Sequence, residues 1–127
     1  MKNKARGNCV LVVDDEEDFR SMVERRFDQN GYDMLVAQDG VEALELFDDA
    51  EHPIDLVISD IRMPRMGGQE LIQELRQRVK ALPIIGVTGH ADLQGKLALL
   101  DGGAYYYVEK PLSNLSFLEK LVENAIR

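Results

Sequence analysis

Three acids, a hydroxyl and an amine stand at or just after the ends of short apolar segments. Asp14 and Asp15 follow the first segment, Asp60 follows the third, Thr88 ends the fourth and Lys110 comes just after the fifth. If these segments are parallel strands, their carboxyl ends meet at one edge of a sheet, where ligands bind in open α/β folds. The spacing therefore predicts that the five side chains converge in one crevice.

Three carboxylates in one crevice repel one another strongly. Two of them about 5 Å apart at an effective dielectric of about 20 repel by roughly 3 kcal/mol, more than the ~1 kcal/mol that a helix cap contributes. Either their pKa values rise or cations bind. Lys110 can neutralise one charge. The rest suits Mg²⁺, for which Mn²⁺ could substitute, because Mg²⁺ uses few carboxylates and binds phosphate oxygens.

Each residue also has a simpler interpretation. The acidic run DDEED at 14–18 could complement the dipole of a first helical turn. Asp60 could cap a turn, Thr88 could be an ordinary strand threonine, and Lys110 could be a solvated side chain. These interpretations do not predict the shared position of all five residues at segment ends.

Strands and helices that could position these residues alternate along the chain. The apolar runs predict strands at 9–13, 33–37, 55–59, 83–88 and 104–108. Apolar residues spaced three and four apart predict a helix after each strand. The expected inward-facing residues are Phe19, Met22, Val23 and Phe27; Val41, Leu44 and Phe47; Leu71, Ile72, Leu75 and Val79; Leu93, Leu97 and Leu100; and Leu115, Leu118, Val122 and Ala125. Gly31 is expected to end the first helix and Ser113 to cap the last.

This alternation predicts a doubly wound α/β fold of five βα units. We expect a five-stranded parallel sheet in the order 2-1-3-4-5 with helices on both faces. The 127 residues suffice for one domain, which we place at 9–127 after a short solvated tail at 1–8.

Charge and cysteine content narrow the class of protein. The net charge of −8 repels phosphate backbones and anionic lipids, so we expect no nucleic-acid or membrane binding by this domain. Cys9 is the only cysteine and can form no internal disulfide, which favours a cytoplasmic location. No apolar run approaches the length of about 20 residues that a membrane helix needs.

Four segments together resemble the receiver domain of two-component response regulators, the CheY-like superfamily with a flavodoxin-like fold. They are VVDDEEDFR, VISDIRMPRMGG, GVTGH and YVEKP, and the resemblance runs from about residue 9 to the end of the sequence. It implies a bacterial signalling switch that catalyses its own phosphorylation and dephosphorylation, rather than an enzyme for other substrates. Asp60 would accept a phosphoryl group from a histidine kinase or a histidine phosphotransfer protein.

The resemblance also implies roles for the neighbouring residues. The magnesium ligands would be Asp14, Asp15, Asp60 and the backbone carbonyl of Arg62. Lys110 would pair with the phosphoryl oxygens, in front of a cis peptide bond to Pro111. Thr88 would donate its hydroxyl to them, and Tyr107 would move into the space that Thr88 leaves.

Two residues stand where the family tunes the lifetime of the phosphoryl group. Arg62 and His90 lie two positions beyond Asp60 and Thr88, although both could equally be solvated side chains. Gly89, next to Thr88, should leave the site open.

The expected output surface is formed by the fourth helix, the fifth strand and the fifth helix. A phosphoryl charge acts only through an element with two arrangements, and Gly95, taken as a mid-helix glycine, would lower the stability of the fourth helix. Tyr105 should pack on the same face of the strand as Tyr107, and Tyr106 should point away. Phe117 would belong to this surface or pack at its edge. An effector, an output domain or a phosphorylation-dependent dimer partner would bind here.

Three other functions remain open from the sequence. A haloacid-dehalogenase-type phosphatase also uses Mg²⁺ and an aspartate nucleophile, but would place D-x-D after the first strand and add a cap insertion. A flavodoxin-type FMN module would have a glycine- or serine-rich phosphate loop where this chain has DDEED. A scaffold receiver that is never phosphorylated is disfavoured because all five site residues are present.

Overall fold

Ten elements alternate strictly between strand and helix in the structure, a computed structural model that describes residues 8–89, 92–110 and 115–126. The strands are β1 (Cys9–Val13), β2 (Asp33–Ala37), β3 (Leu56–Asp60), β4 (Ile84–Gly89) and β5 (Tyr106–Lys110). The helices are α1 (Glu17–Gln29), α2 (Gly40–Asp49), α3 (Gly68–Arg78), α4 (Leu93–Asp101) and α5 (Ser116–Ile126). The predictions for residues 1–7 of the tail, His90, Pro111 and Ser113 lie outside the described residues.

The strands form one parallel sheet in the order β2-β1-β3-β4-β5, which confirms the predicted topology. The order reverses between β1 and β3, where Val13 lies opposite Ser59. The residues that follow this pair, Asp14 and Asp60, therefore lie side by side at the carboxyl edge of the sheet. This is the edge at which an open α/β sheet binds ligands.

Alternate side chains of the strands enter two separate cores. Val10 and Val12 of β1 face the core that the buried residues of α1 and α5 complete, whereas Leu11 and Val13 face the core completed by α2, α3 and α4. All five residues of β3 are buried. Strands covered on both faces need continuous apolar sequence, which explains the short unbroken runs in this chain.

Three strands, β3, β4 and β5, begin one or two residues later than the sequence indicates, and the shifts of β3 and β5 affect the site. β3 starts at Leu56, which lies opposite Val10 of β1, and just before it the Asp55 carboxylate accepts a hydrogen bond of 2.8 Å from the Cys9 amide. β5 starts at Tyr106, because the Ala104 amide closes the end of α4 by donating to the Leu99 carbonyl over 3.0 Å. Asp60 and Lys110 are therefore the last residues of their strands rather than the first residues of loops.

The predicted inner face of α4 is wrong. Leu93, Leu97 and Leu100 are 66%, 52% and 53% exposed, while Leu99 is fully buried. The reason lies in β4, where a Cβ at Gly86 would come within 2.3 Å of the Leu99 side chain, so that only glycine leaves room for this leucine. Because the sequence LQGKLALLD is apolar on several sides, its periodicity does not identify the face that packs.

Most other predicted helix faces agree with the structure. Phe19, Val23 and Phe27 of α1 are buried, as are the apolar residues of α5 at Leu118 and Val122. Met22 and Val79 are exceptions and are largely exposed. Gly31 ends α1 with a φ of 93°, in the left-handed region that glycine tolerates, as predicted. No helix among the described residues has the length and apolar character needed to cross a membrane.

Candidate functional site

The three predicted acids do meet at the carboxyl edge of the sheet. Asp14, Asp15 and Asp60 each present a carboxylate oxygen, and these oxygens lie within 4.8 Å of one another. Asp14 and Asp60 are buried, whereas Asp15 is exposed. Two buried acids and one accessible acid form an all-oxygen cluster that opens toward solvent.

The carboxylate of Asp14 is fixed by the start of α1. Its Oδ1 accepts a hydrogen bond of 2.8 Å from the Glu16 amide, and its backbone carbonyl accepts one of 2.8 Å from Arg20. Burial raises the pKa of Asp14, while the Glu16 amide and Lys110 partly oppose this. Oδ2 of Asp14 has no hydrogen bond of acceptable geometry within the described part of the chain, although the Lys110 ammonium lies 2.9 Å away.

Lys110 brings a positive charge into the cluster from the end of β5. Its Nζ lies 2.9 Å from Asp14 Oδ2, 3.6 Å from Asp60 Oδ2 and 4.7 Å from the centre of the Phe19 ring, and it also pairs with Glu16. Burial lowers the pKa of Lys110, but the contacts with Glu16 and Asp14 outweigh it and leave that pKa above its usual range. Lys110 therefore stays protonated, and Asp14 is a closer partner of it than Asp60.

Asp60 is a buried carboxylate with a raised basicity. Burial, and next the negative charge of Asp14, raise the pKa of Asp60 to about 6, although Lys110 and the Arg62 amide lower it. That amide lies 3.3 Å from Asp60 Oδ1 and helps to orient the carboxylate. At neutral pH most Asp60 side chains are ionised and can act as an oxygen nucleophile.

Thr88 offers a buried hydroxyl beside Asp60. Asp60 lies opposite Val87 in the β3–β4 ladder, so Thr88 follows at the same edge. The Oγ1 atom has no hydrogen bond of acceptable geometry among the described residues, although the hydroxyl lies close enough to Asp92 to help lower the pKa of that carboxyl. A buried hydroxyl without a partner is costly, and a new acceptor next to Asp60 would relieve that cost.

Two arginine–aspartate pairs, which the sequence did not reveal, fasten the β3–α3 loop (61–67) to neighbouring helices. Arg65 donates two hydrogen bonds of 2.8 and 3.0 Å to Asp39, which caps α2 by accepting from the Glu42 amide. Arg62 donates two of 2.8 Å each to Asp92, which caps α4. Arg65 adopts a φ of 65°, unusual for a residue other than glycine, and its ion pair holds it there.

The side chains at this edge fit a hard divalent cation. The acids of the cluster offer carboxylate oxygens only, and the Lys110 ammonium lies 2.9 Å from Asp14 Oδ2. Mg²⁺ prefers oxygen ligands and typically takes a few carboxylates together with water. We retain the Arg62 carbonyl as a predicted further ligand, because the loop holds this residue next to Asp60.

The tyrosines of β5 depart from the prediction. The rings of Tyr106 and Tyr107 stack with centroids 5.8 Å apart and an interplanar angle of 15°, so Tyr106 does not point away. β5 is the edge strand, and its large side chains lean over an edge that carries no further strand. Tyr106 also contacts Phe117 of α5 edge-on at 6.1 Å, and Lys96 of α4 lies 5.9 Å from the Tyr107 ring. Tyr105 precedes the strand and is exposed rather than packed.

An apolar surface lies beside the site, on α4, β5 and α5. Its exposed large side chains are Leu93, Leu97, Leu100, Tyr105, Tyr106 and Phe117, which we call the apolar face. Monomeric proteins rarely expose contiguous apolar patches beyond a few hundred Å², and such patches often mark interaction sites. Phe117 is exposed and also contacts Tyr106, so its place in the structure is compatible with both predicted positions, in the surface or at its edge.

Comparisons with known proteins point to one family. The model of a family described as the response regulator receiver domain matches residues 10–122. The chain is 38% identical over 112 residues to the response regulator MprA of Mycobacterium sp. (strain KMS), covering 88% of the chain and 48% of MprA. It is 38% identical over 120 residues to the regulatory protein AtoC of Escherichia coli (strain K12), covering 94% of the chain and 25% of AtoC. The chain thus spans half or less of these relatives.

A solved structure shows the same architecture. The crystal structure of a response regulator receiver domain protein from Clostridium thermocellum superposes with a TM-score of 0.86 at 29% identity, over 94% of each chain.

Proposed function

The chain belongs to the response regulator receiver family, and on that premise we propose that Asp60 accepts a phosphoryl group from a phosphohistidine of a partner protein. The observation that carries the proposal is the environment of Asp60, whose pKa is raised to about 6 beside Asp14 and Lys110. A buried nucleophile with a fixed cation 3.6 Å away and a buried hydroxyl at the same edge of the sheet suits phosphoryl transfer, which needs positioning and charge stabilisation.

The transfer is a substitution at phosphorus. An oxygen of the ionised Asp60 carboxylate attacks, the phosphorus–nitrogen bond to the donor imidazole breaks, and that nitrogen keeps the electron pair and takes up a proton. Lys110, held near Asp60 by its other contacts, donates to the phosphoryl oxygens. Thr88 gains the acceptor that its hydroxyl lacks.

Asp14, Asp15, Asp60 and the Arg62 carbonyl would hold Mg²⁺, or Mn²⁺ in its place. The ion supplies positive charge that offsets the repulsion between the carboxylates and the phosphoryl oxygens. The protein prepares for it by burying Asp14 and Asp60 and fixing the orientation of both.

Phosphorylation would reach the apolar face through Thr88 and Tyr107. Thr88 moves toward the phosphoryl oxygens, and Tyr107, half-buried beside α4, moves into the space that opens. The apolar face then changes shape and binds an effector, an output domain or a second phosphorylated copy. We assign the chain to the cytoplasm, as a signalling switch rather than an enzyme for other substrates.

Intact-mass analysis after incubation with acetyl phosphate and Mg²⁺ tests this proposal. We expect wild type to gain one phosphoryl mass and Asp60→Asn to gain none. Asp48→Asn, which loses an exposed carboxylate in the last turn of α2, is the matched control and should gain as much as wild type. A wild type that gains nothing would favour a scaffold receiver. Repeated turnover of a phosphomonoester would instead favour the phosphatase alternative.

A further inference from the structure

The two arginine pairs of the β3–α3 loop differ in how easily they can separate. The two arginine side chains are similarly exposed, 57% for Arg65 and 65% for Arg62, but Asp39 is only 5% exposed whereas Asp92 is 18% exposed. Exposed ion pairs are weak because water screens them and because two long side chains lose freedom. A competing anion can therefore displace Asp92 from Arg62 more easily than it can displace Asp39 from Arg65.

Asp92 connects this fastening to the start of α4. Its Oδ1 accepts hydrogen bonds from both the Arg62 guanidinium and the Gly95 amide. A Cβ at Gly95 would lie 2.5 Å from Asp92 Oδ2, so glycine at this place lets the carboxylate lie against the helix. Gly95 is thus in the first turn rather than mid-helix as predicted, and its role is close approach.

A phosphoryl group on Asp60 would compete directly for Arg62. The Arg62 amide is already 3.3 Å from Asp60 Oδ1, and its side chain borders an open cleft of about 820 Å³ together with Asp15 and Gln94. A phosphoryl group carries roughly −1.5 to −2 charges, whereas the Asp92 carboxylate carries one, and both can bind a guanidinium in a bidentate manner.

We propose that the Arg62–Asp92 ion pair is a latch that opposes phosphorylation: the phosphoryl group draws Arg62 away from Asp92 and thereby releases the first turn of α4 from the β3–α3 loop. This inference rests on the proposed function of Asp60. Asp92 keeps its capping bond to Gly95 after release, so α4 loses its tie to the loop without losing its N-terminal cap. The strength of the Arg62–Asp92 pair thus determines how much of the phosphoryl-binding free energy is needed to separate α4 from the β3–α3 loop.

Beryllofluoride binding in the presence of Mg²⁺ tests the latch through a double-mutant cycle. The four proteins are wild type, Asp92→Asn, Arg62→Gln and the double variant. Asparagine is as good a helix cap as aspartate, so α4 should remain intact. We expect Asp92→Asn to bind beryllofluoride about two- to five-fold more tightly, the range that an exposed ion pair allows, because Arg62 no longer has to leave a partner. In the Arg62→Gln background the same change should have no effect.

A control and a direct readout sharpen the test. Asp48→Asn breaks another exposed bidentate pair, with Arg78, at the opposite edge of the sheet, and should not change the affinity. The Nε–H resonance of Arg62 in a ¹H–¹⁵N spectrum should shift when beryllofluoride saturates wild type. In Asp92→Asn it should differ from wild type before any addition.

The outcomes separate the latch from the proposed function. An equal gain in both backgrounds would assign the effect to the charge of Asp92 and would overturn the latch. Unchanged affinity in Asp92→Asn, or an Arg62 resonance that ignores beryllofluoride, would also overturn it while leaving Asp60 as the acceptor. If wild type does not bind beryllofluoride at all, the proposed function fails and the latch fails with it.

Discussion

Asp60 is held in a state that favours reaction over stability. Its pKa is raised from 3.8 to about 6 in the folded protein, mainly by burial and next by Asp14. The folded state therefore binds the proton more tightly than the unfolded state does. By linkage, the contribution of Asp60 to stability falls as the pH rises from about 4 to about 6, and stays at its lower value above that window.

We expect Asp60→Asn to raise the free energy of unfolding by about 1–3 kcal/mol at about pH 7, because one pKa unit corresponds to about 1.4 kcal/mol. The gain should vanish as the pH falls toward about 4, where wild-type Asp60 is protonated. Urea unfolding across this pH range, with a chelator to remove Mg²⁺, is the measurement. Asp48→Asn should show no such gain, and an Asp60→Asn variant less stable than wild type at neutral pH would contradict the prediction.

Thr88, a neutral side chain, is also placed in a way that suits phosphoryl binding but lowers the stability of the unphosphorylated protein. Its buried hydroxyl has no partner of acceptable geometry among the described residues. Thr88→Val keeps the shape but loses the weak contact with Asp92, so it should stabilise the unphosphorylated protein by about 1 kcal/mol or less. It should also weaken beryllofluoride binding by about ten-fold or more, because a hydrogen bond to a charged group contributes about 1.5–3 kcal/mol. Thr88→Ser keeps the hydroxyl and should retain most of the affinity; equal binding by Thr88→Val would argue against the role of Thr88.

At the scale of the elements, the sequence predicts a strand or a helix face correctly where its apolar pattern is compatible with only one packing arrangement. Continuous apolar runs identified all five strands, and strand ends identified the acids, Thr88 and Lys110. The predicted inner face of α4 was wrong because leucines lie on several sides of this helix. The face that packs depends on Gly86 of β4, which leaves room for Leu99. The Arg62–Asp92 contact joins residues 30 positions apart, and no local spacing signals it. Glu16, which pairs with Lys110, was visible only as part of an acidic run.

The packing of α4 gives a direct test at this scale. Leu99→Ala should lower the free energy of unfolding by about 2–5 kcal/mol, as is usual for a buried leucine. Leu97→Ala, on the exposed side of the same helix, should change it by about 0.5 kcal/mol or less. Thermal or urea unfolding of the two variants checks this, and similar losses for both would mean that the buried face of α4 is misassigned. Gly86→Ala should also destabilise, by about 1–3 kcal/mol, because its methyl group would overpack Leu99.

At the scale of the whole molecule, the apolar face and the net charge act in opposite directions. The exposed leucines and aromatic residues of α4, β5 and α5 favour association. A net charge of −8 on each copy opposes association with a second copy. Salt screens charge over a Debye length of about 10 Å at 0.1 M, while apolar contacts persist. Any self-association of this chain should therefore strengthen as the salt concentration rises.

We expect phosphorylation to change the shape of the apolar face and thereby to favour a dimer that forms through this face, despite the repulsion between the two negatively charged copies. Light scattering with size-exclusion chromatography should show a rise in mass when beryllofluoride and Mg²⁺ are added, larger at about 0.5 M than at about 0.05 M salt because screening lowers the repulsion. Leu97→Asp places a charge in the centre of the apolar face and should abolish the rise, without changing phosphorylation by acetyl phosphate. Met22→Asp places the same charge on an exposed methionine of α1, outside the apolar face, and should leave dimerisation intact. A wild type that stays monomeric at high salt with beryllofluoride bound would exclude the dimer, and the apolar face would then serve a different protein or an output domain.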